Sequence, residues 1–193
     1  MIDYGLIEDK VTELRRCYGN ADPREILADK GAALLEMAMG KEENSIKGFI
    51  VKNSRMVTVG INTDLPEAAV NKVLFHETGH LCLGHLNGFR SGALRDTSFG
   101  YRSDGTRLSR FENEANFFAS EYILDTEETL AAVREYDLFS AARFLHVPVE
   151  FLDYKLRFLS CRGIFPGYRD LLSVKSDCMR NMKLADGSYD QGH

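Results

Sequence analysis

The chain has 193 residues and a mass of 21.8 kDa, which is the size of a single domain. Its 24 basic and 29 acidic side chains give a net charge of −5, which argues against a general nucleic-acid binder. No apolar run reaches the roughly 18 residues that a transmembrane helix needs, so a membrane-spanning protein is not expected.

The cysteines and the N-terminal residues indicate a compartment. The four cysteines, at positions 17, 82, 161 and 178, show no CxxC spacing, which is typical of reduced thiols. The first residues lack the positively charged and apolar regions of a signal peptide. We therefore expect a cytoplasmic protein.

The first third of the chain carries signals of both helix and strand. Amphipathic spacing predicts a helix over residues 3–18, and Asp22-Pro23 begins a second helix that runs to Gly31. Three strands are predicted next, at 32–39, 47–52 and 56–61, with a hairpin turn at 53–55. A helix over 66–84 follows, with Asp64 as its predicted N-cap.

The predicted helix over 66–84 contains the motif HExxH, from His76 to His80. Residues four apart lie on one face of a helix, so the two histidines can bind the same metal ion. Glu77 lies beside that face and can act on a water held by that metal, which is the arrangement of a zinc hydrolase. Gly79 costs about 1 kcal/mol relative to alanine in a helix interior, which suggests that another backbone passes close by.

A glycine-rich segment at 86–108 separates this motif from the next helix signal. A segment of this length without periodicity predicts a loop, and such loops are usually functional or disordered. A lid beside the metal and an ordinary surface excursion are both compatible with it.

A catalytic zinc site usually has three protein ligands and a water, so one further ligand is needed. The helix signal around residues 110–120 places Glu112 and Asn116 four apart, on one face. We predict Glu112 as the third ligand, with Asn116 orienting a ligand through a hydrogen bond. Glu114 lies about 200° around the helix from Glu112 and is the alternative. His85 lies off the ligand face, so we expect it to be solvent-exposed or locally bonded.

The C-terminal third carries helix signals and then turns polar. Three short helices are predicted, at 126–134, 137–146 and 148–159, and residues 126–159 have the look of a helix-turn-helix hairpin. The acidic side chains of its second helix suit packing against the rest of the domain better than reading DNA bases. Residues 173–193 are predicted to be a flexible tail, which leaves 1–172 as a single domain.

Several of these segments together resemble the ImmA/IrrE family of metallopeptidases. The resemblance covers about residues 20–160 and is carried by HExGH and by the ExxAN sequence that begins at Glu112. Weaker similarity lies in Leu65-Pro66-Glu67, in Lys47-Gly48-Phe49-Ile50 and in Val59-Gly60-Ile61-Asn62. The resemblance implies that His76, His80 and Glu112 bind Zn²⁺ and that Glu77 is the catalytic base.

The resemblance also implies a fold, an activity and a partner. The fold is a small α+β, zincin-like core with a short β-sheet and the HExxH helix, followed by a C-terminal helical hairpin. The activity is site-specific cleavage of a regulatory protein, such as a helix-turn-helix repressor of a mobile element or stress response. The alternative is a zinc-binding regulatory module that cleaves nothing, against which an intact Glu77 argues.

Overall fold

The structure is a computed structural model that describes residues 2–19, 21–42, 44–87, 91–96, 105–166 and 168. The chain divides into two compact units, Met1–Lys155 and Leu156–His193. The tail predicted at 173–193 lies outside the described residues, and the single domain over 1–172 stays a prediction.

The first half of the chain contains both helices and strands, and the elements described in the second half are all helices. The described elements are α1 Tyr4–Tyr18, α2 Pro23–Asp29, β1 Ala32–Met37, β2 Gly48–Asn53, β3 Met56–Asn62, α3 Glu67–Cys82, β4 Ser91–Asp96, α4 Arg107–Ile123, α5 Thr126–Glu135, α6 Leu138–Phe144 and α7 Val149–Cys161. The predicted α+β class is therefore confirmed. Among the residues that the structure describes, none of the helices combines the length and the hydropathy that spanning a bilayer requires.

The four strands form one mixed sheet in the order β1-β3-β2-β4. Strands β2 and β3 are an antiparallel hairpin in which Asn53 pairs with Met56, so only Ser54 and Arg55 lie in the turn. Ser54 has a φ of 54°, a positive value that two-residue hairpin turns require at their first position. Strand β1 runs parallel to β3 at one edge, and β4 runs antiparallel to β2 at the other.

Helix α3 lies between the sheet and helix α4, and it contacts both. Apolar side chains of α3 and of the strands form a shared core whose buried members are Leu27, Ala32, Ile50, Val59, Ile61, Val73, Leu74 and Leu86. The apolar residues before the HExxH motif therefore anchor α3 on the sheet. This packing leaves the opposite face of α3 for contact with α4.

Two local predictions differ from the structure. Residues 91–96 of the predicted loop at 86–108 form strand β4, which pairs with the edge of β2 although its sequence has no strand periodicity, while residues 88–90 and 97–104 lie outside the described residues. The backbone of β2 supplies the hydrogen bonds that the local pattern did not indicate. Asp64 does not cap α3, because Pro66 occupies the N-cap position without a side-chain hydrogen bond. The Asp64 carboxylate instead accepts a hydrogen bond from the backbone N–H of Gly40, at 2.8 Å.

Candidate metal centre

Helices α3 and α4 approach closely where the HExxH motif lies. A Cβ placed on Gly79 would lie 2.9 Å from Phe118 Cδ1 and 3.2 Å from both the Cα and the carbonyl oxygen of Ala115. These distances are shorter than ordinary van der Waals contact, so a side chain at position 79 would push the helices apart. The second backbone that the sequence suggested beside Gly79 is that of α4.

His76, His80 and Glu112 come together at this contact. The Nε2 atoms of the two histidines are 3.0 Å apart. Glu112 Oε2 lies 3.2 Å from His76 Nε2, and Glu112 Oε1 lies 3.7 Å from His80 Nε2. All three side chains are buried, and one ligand atom from each lies within 4.8 Å of the others. The structure therefore brings together the three side chains that the sequence predicted as ligands.

The electrostatics of the three side chains suit a cation. Burial lowers the pKa of His80 to about 3, so its imidazole is neutral near pH 7. Burial alone would raise the pKa of Glu112, but its contacts with His76 and His80 outweigh burial and lower it. Both Glu112 carboxylate oxygens are buried and accept no hydrogen bond within the described part of the chain. Neutral imidazole nitrogens and a carboxylate are a donor set that fits Zn²⁺.

Glu77 lies one residue beyond the first histidine and is buried with it. Its carboxylate lies against the first residue of β2, because a Cβ on Gly48 would be 2.9 Å from Glu77 Oε1 and 2.3 Å from Val73 Cγ1. The glycine at position 48 thus provides the space that the carboxylate occupies. The predicted role of Glu77 as a base stays a prediction.

A series of hydrogen-bonded polar side chains begins at the Nδ1 atom of His76. Asn116 Oδ1 lies 3.0 Å from His76 Nδ1, which is the contact that their predicted roles require. Asn116 Nδ2 donates to the Tyr154 hydroxyl at 3.3 Å, and that hydroxyl donates to Asn113 Oδ1 at 3.0 Å. If the His76 Nδ1–H donates to Asn116, the lone pair on Nε2 faces His80 and Glu112.

His85 and Glu114 occupy places that the sequence analysis did not foresee. His85 is 3 % exposed, so the expectation of solvent exposure was wrong and that of local bonding was right. Its Nδ1 lies 2.8 Å from His80 Nδ1, and its Nε2 lies 3.2 Å from Glu114 Oε2. Glu114 therefore contacts His85, whereas Glu112 faces the two histidines of the motif. The sequence signal that was missed is Gly84, which ends the helix and turns the chain back.

A family model described as the IrrE N-terminal-like domain, Peptidase_M78, matches residues 28–157, which is more than half of the chain. The matched range includes α3 and α4, and with them all the side chains of the candidate metal centre. No curated protein and no solved structure matches the chain.

Proposed function

The chain belongs to the Peptidase_M78 family of metallopeptidases, and from that membership we propose that it is a zinc-dependent endopeptidase. A peptidase acts on a protein or peptide, so its partner is a polypeptide substrate. In the proposal, His76, His80 and Glu112 bind Zn²⁺ and Glu77 is the general base. Zinc as the metal and these roles of the residues are part of the proposal. A cytoplasmic location stays a prediction from the cysteine pattern.

One observation carries the proposal: two buried imidazoles and one buried carboxylate converge, and a second buried carboxylate, that of Glu77, follows the first of these histidines in the chain. A structural zinc site usually has four protein ligands, whereas a catalytic site has three and an open position. Among the residues that the structure describes, the group has three candidate ligands, and Glu77 follows His76 directly in the chain, which supports catalysis over a purely structural role.

Glu77 and Asn116 have different roles in the proposed peptide hydrolysis. When bound, Zn²⁺ would polarise the scissile carbonyl and lower the pKa of water toward about 7. Glu77 accepts the proton of the attacking water and returns it to the leaving amine. Asn116 keeps the His76 Nδ1 proton in place, so that Nε2 stays available as a ligand.

The test compares zinc content and cleavage in matched variants. Glu77→Gln is expected to bind about one zinc per chain but to lose cleavage by a factor on the order of 10² or more, because the general base is gone. His76→Ala is expected to lose both. Glu67→Gln, an exposed residue of the same helix, is the control and is expected to resemble the wild type.

Zinc content is measured by elemental analysis, and cleavage by mass spectrometry of new termini in a peptide library. Cleavage by Glu77→Gln at the wild-type rate would contradict the mechanism. Zinc binding by the wild type with no cleavage of any peptide or protein tried would favour the alternative, a zinc-binding regulatory module.

We also propose a substrate class, which the resemblance to ImmA/IrrE metallopeptidases supports. The substrate is a regulatory protein, such as a helix-turn-helix repressor of a mobile element or stress response. The cleavage sites found in the peptide library provide a motif that can be sought in such repressors. Cleavage of an intact repressor at that motif would support this substrate class.

A further inference from the structure

The end of helix α3 places His85 directly over His80. The backbone N–H of His85 donates to the carbonyl of His80 at 3.1 Å, and the N–H of Gly84 donates to the carbonyl of Leu81 at 3.2 Å. Gly84 has a φ of 69°. These two bonds and the left-handed glycine make up the Schellman motif, which brings the second residue after the helix cap back against the helix's last turn. A hydrophobic contact commonly fills that place, but here it is a contact between two imidazoles.

The proposed metal position determines the direction of the hydrogen bonds behind His80. If His80 Nε2 faces the metal, the proton of its ring is on Nδ1, 2.8 Å from His85 Nδ1. His85 Nδ1 must then accept, which leaves its proton on Nε2. That nitrogen lies 3.2 Å from Glu114 Oε2, and a carboxylate can only accept there. The His80–His85 contact and the His85–Glu114 contact therefore each have one donor and one acceptor.

The surroundings keep the His85 ring in this orientation. The ring stacks on Phe111 with a centroid distance of 4.3 Å and an interplanar angle of 12°. Arg110 Nε lies 3.6 Å from the other oxygen of Glu114, an ion-pair contact longer than a hydrogen bond, so a positive charge lies near the carboxylate. The side chains of His85 and Glu114 are 3 % and 11 % exposed. Little water reaches these contacts to compete for the hydrogen bonds.

We propose that His85 and Glu114 are positioning residues for His80: they hold its proton on Nδ1 and so direct Nε2 to the metal. The inference rests on the proposed function, because it takes His80 as a metal ligand. In a metal-binding histidine, the N–H of the second ring nitrogen usually donates a hydrogen bond directly to a carboxylate, a carbonyl or water. Here a second imidazole stands between the ligand and its carboxylate. Asn116 has the corresponding place behind His76.

Two substitutions of His85 separate positioning from packing. His85→Phe keeps a ring to stack on Phe111 but removes the atom that accepts the hydrogen bond from His80 Nδ1–H. His85→Asn keeps an accepting oxygen near the position of Nδ1 but leaves a cavity where the ring stacked on Phe111. Positioning predicts that His85→Phe binds zinc about 10- to 100-fold more weakly than the wild type, which is the usual effect of losing such a partner. It also predicts that His85→Asn binds zinc more tightly than His85→Phe. Packing alone predicts the reverse order.

Zinc affinity is measured by chelator competition, and folding of the metal-free proteins by urea unfolding. His146→Asn, which removes an exposed histidine with a φ of 55°, is the control and is expected to bind zinc like the wild type. Glu114→Gln is the second variant if changes at position 85 prevent folding. It is expected to bind zinc several-fold more weakly, because an amide holds the His85 N–H less strongly than a carboxylate.

NMR of ¹⁵N-labelled wild type tests the proton positions without any substitution. The zinc-loaded protein is expected to have His80 protonated on Nδ1 and His85 protonated on Nε2 alone. A His85 protonated on Nδ1, or a His85→Phe variant with wild-type zinc affinity, would overturn the inference and leave the proposed function standing. A wild type that binds no zinc would overturn the proposed function, and the inference with it.

Discussion

Burial sets the protonation of His80, a residue whose unperturbed pKa lies close to neutral pH. Removing the ring from water disfavours its charged form and lowers its pKa from 6.5 to about 3. A neutral imidazole is the form that binds a metal, so the folded chain presents this ligand without first releasing a proton. The same burial makes the metal-free protein sensitive to acid.

The metal-free protein is expected to become less stable as the pH falls. As the pH falls below about 6.5, the unfolded chain takes up a proton at His80 that the folded chain does not accept until about pH 3. The free energy of unfolding should therefore decrease on acidification, by up to about 1.4 kcal/mol per pH unit from this group. Urea unfolding in the presence of a chelator at pH 7, 6 and 5 measures this slope.

A His80→Asn variant lacks the titrating group and should show a shallower slope, whereas His146→Asn should keep the wild-type slope. The interval from pH 6.5 to 5 avoids the titration of Glu112, whose lowered pKa affects stability only below its unperturbed value of 4.5. Other groups, such as Glu121 with its raised pKa, contribute to both slopes, so the difference between the wild type and His80→Asn is the contribution of His80. Equal slopes in wild type and His80→Asn would contradict the argument.

At the scale of the elements, the close contact of α3 and α4 builds the candidate metal centre. Helix α3 supplies two histidines and α4 supplies Glu112, so the distance between the helices sets the distance between the ligands. Gly79 lies in this contact, facing Ala115 and Phe118. A glycine inside a helix is unfavourable by itself, and the close packing is the compensation.

We expect Gly79→Ala to destabilise the protein. Overpacking costs about 1–3 kcal/mol, which offsets the gain of about 1 kcal/mol in helix propensity. Gly5→Ala in α1 is the matched control, because its Cβ would meet only Asp3 Oδ1, at an ordinary 3.5 Å. Urea unfolding should give a lower free energy of unfolding for Gly79→Ala than for the wild type, and an equal or higher one for Gly5→Ala. A more stable Gly79→Ala would mean that the helices adjust without cost.

At the scale of the whole molecule, a buried ion pair within the first compact unit links α4, α5 and the N-terminal part of α7. Lys155 Nζ on α7 donates to Glu121 Oε2 on α4 at 2.8 Å and to Thr126 Oγ1 on α5 at 3.0 Å. The lysine side chain is fully buried and that of Glu121 is 12 % exposed. Burial lowers the pKa of Lys155 and raises that of Glu121, so each charge depends on the other.

Removing one charge should therefore cost more than removing both. Lys155→Met leaves the Glu121 carboxylate buried without its partner and is expected to lower the free energy of unfolding by about 3 kcal/mol. The double variant Lys155→Met, Glu121→Leu should recover most of that loss, because apolar side chains of similar size can fill the space. Urea unfolding of the wild type, both single variants and the double variant completes the cycle. A double variant as unstable as Lys155→Met would contradict the argument.

Local patterns were enough to predict most elements of this chain. The HExxH motif has its chemical meaning within a single helix, because residues four apart share a face whatever surrounds them. The amphipathic α1, the proline at the start of α2 and the β2–β3 hairpin likewise depend on neighbours in sequence. The α+β class and the membership of a metallopeptidase family could be predicted from such segments and from their resemblance to known motifs.

The tertiary structure decided which groups meet across the chain. Strand β4 exists because the edge of β2 offers it hydrogen bonds, and its own sequence carries no signal of this. Glu112 and Glu114 are both plausible ligands from spacing, but only the packing of α4 on α3 turns Glu112 toward the histidines and Glu114 toward His85. Sequence patterns report the local geometry of the backbone, whereas contacts between distant segments depend on how the core packs, and that is why only the tertiary structure revealed them.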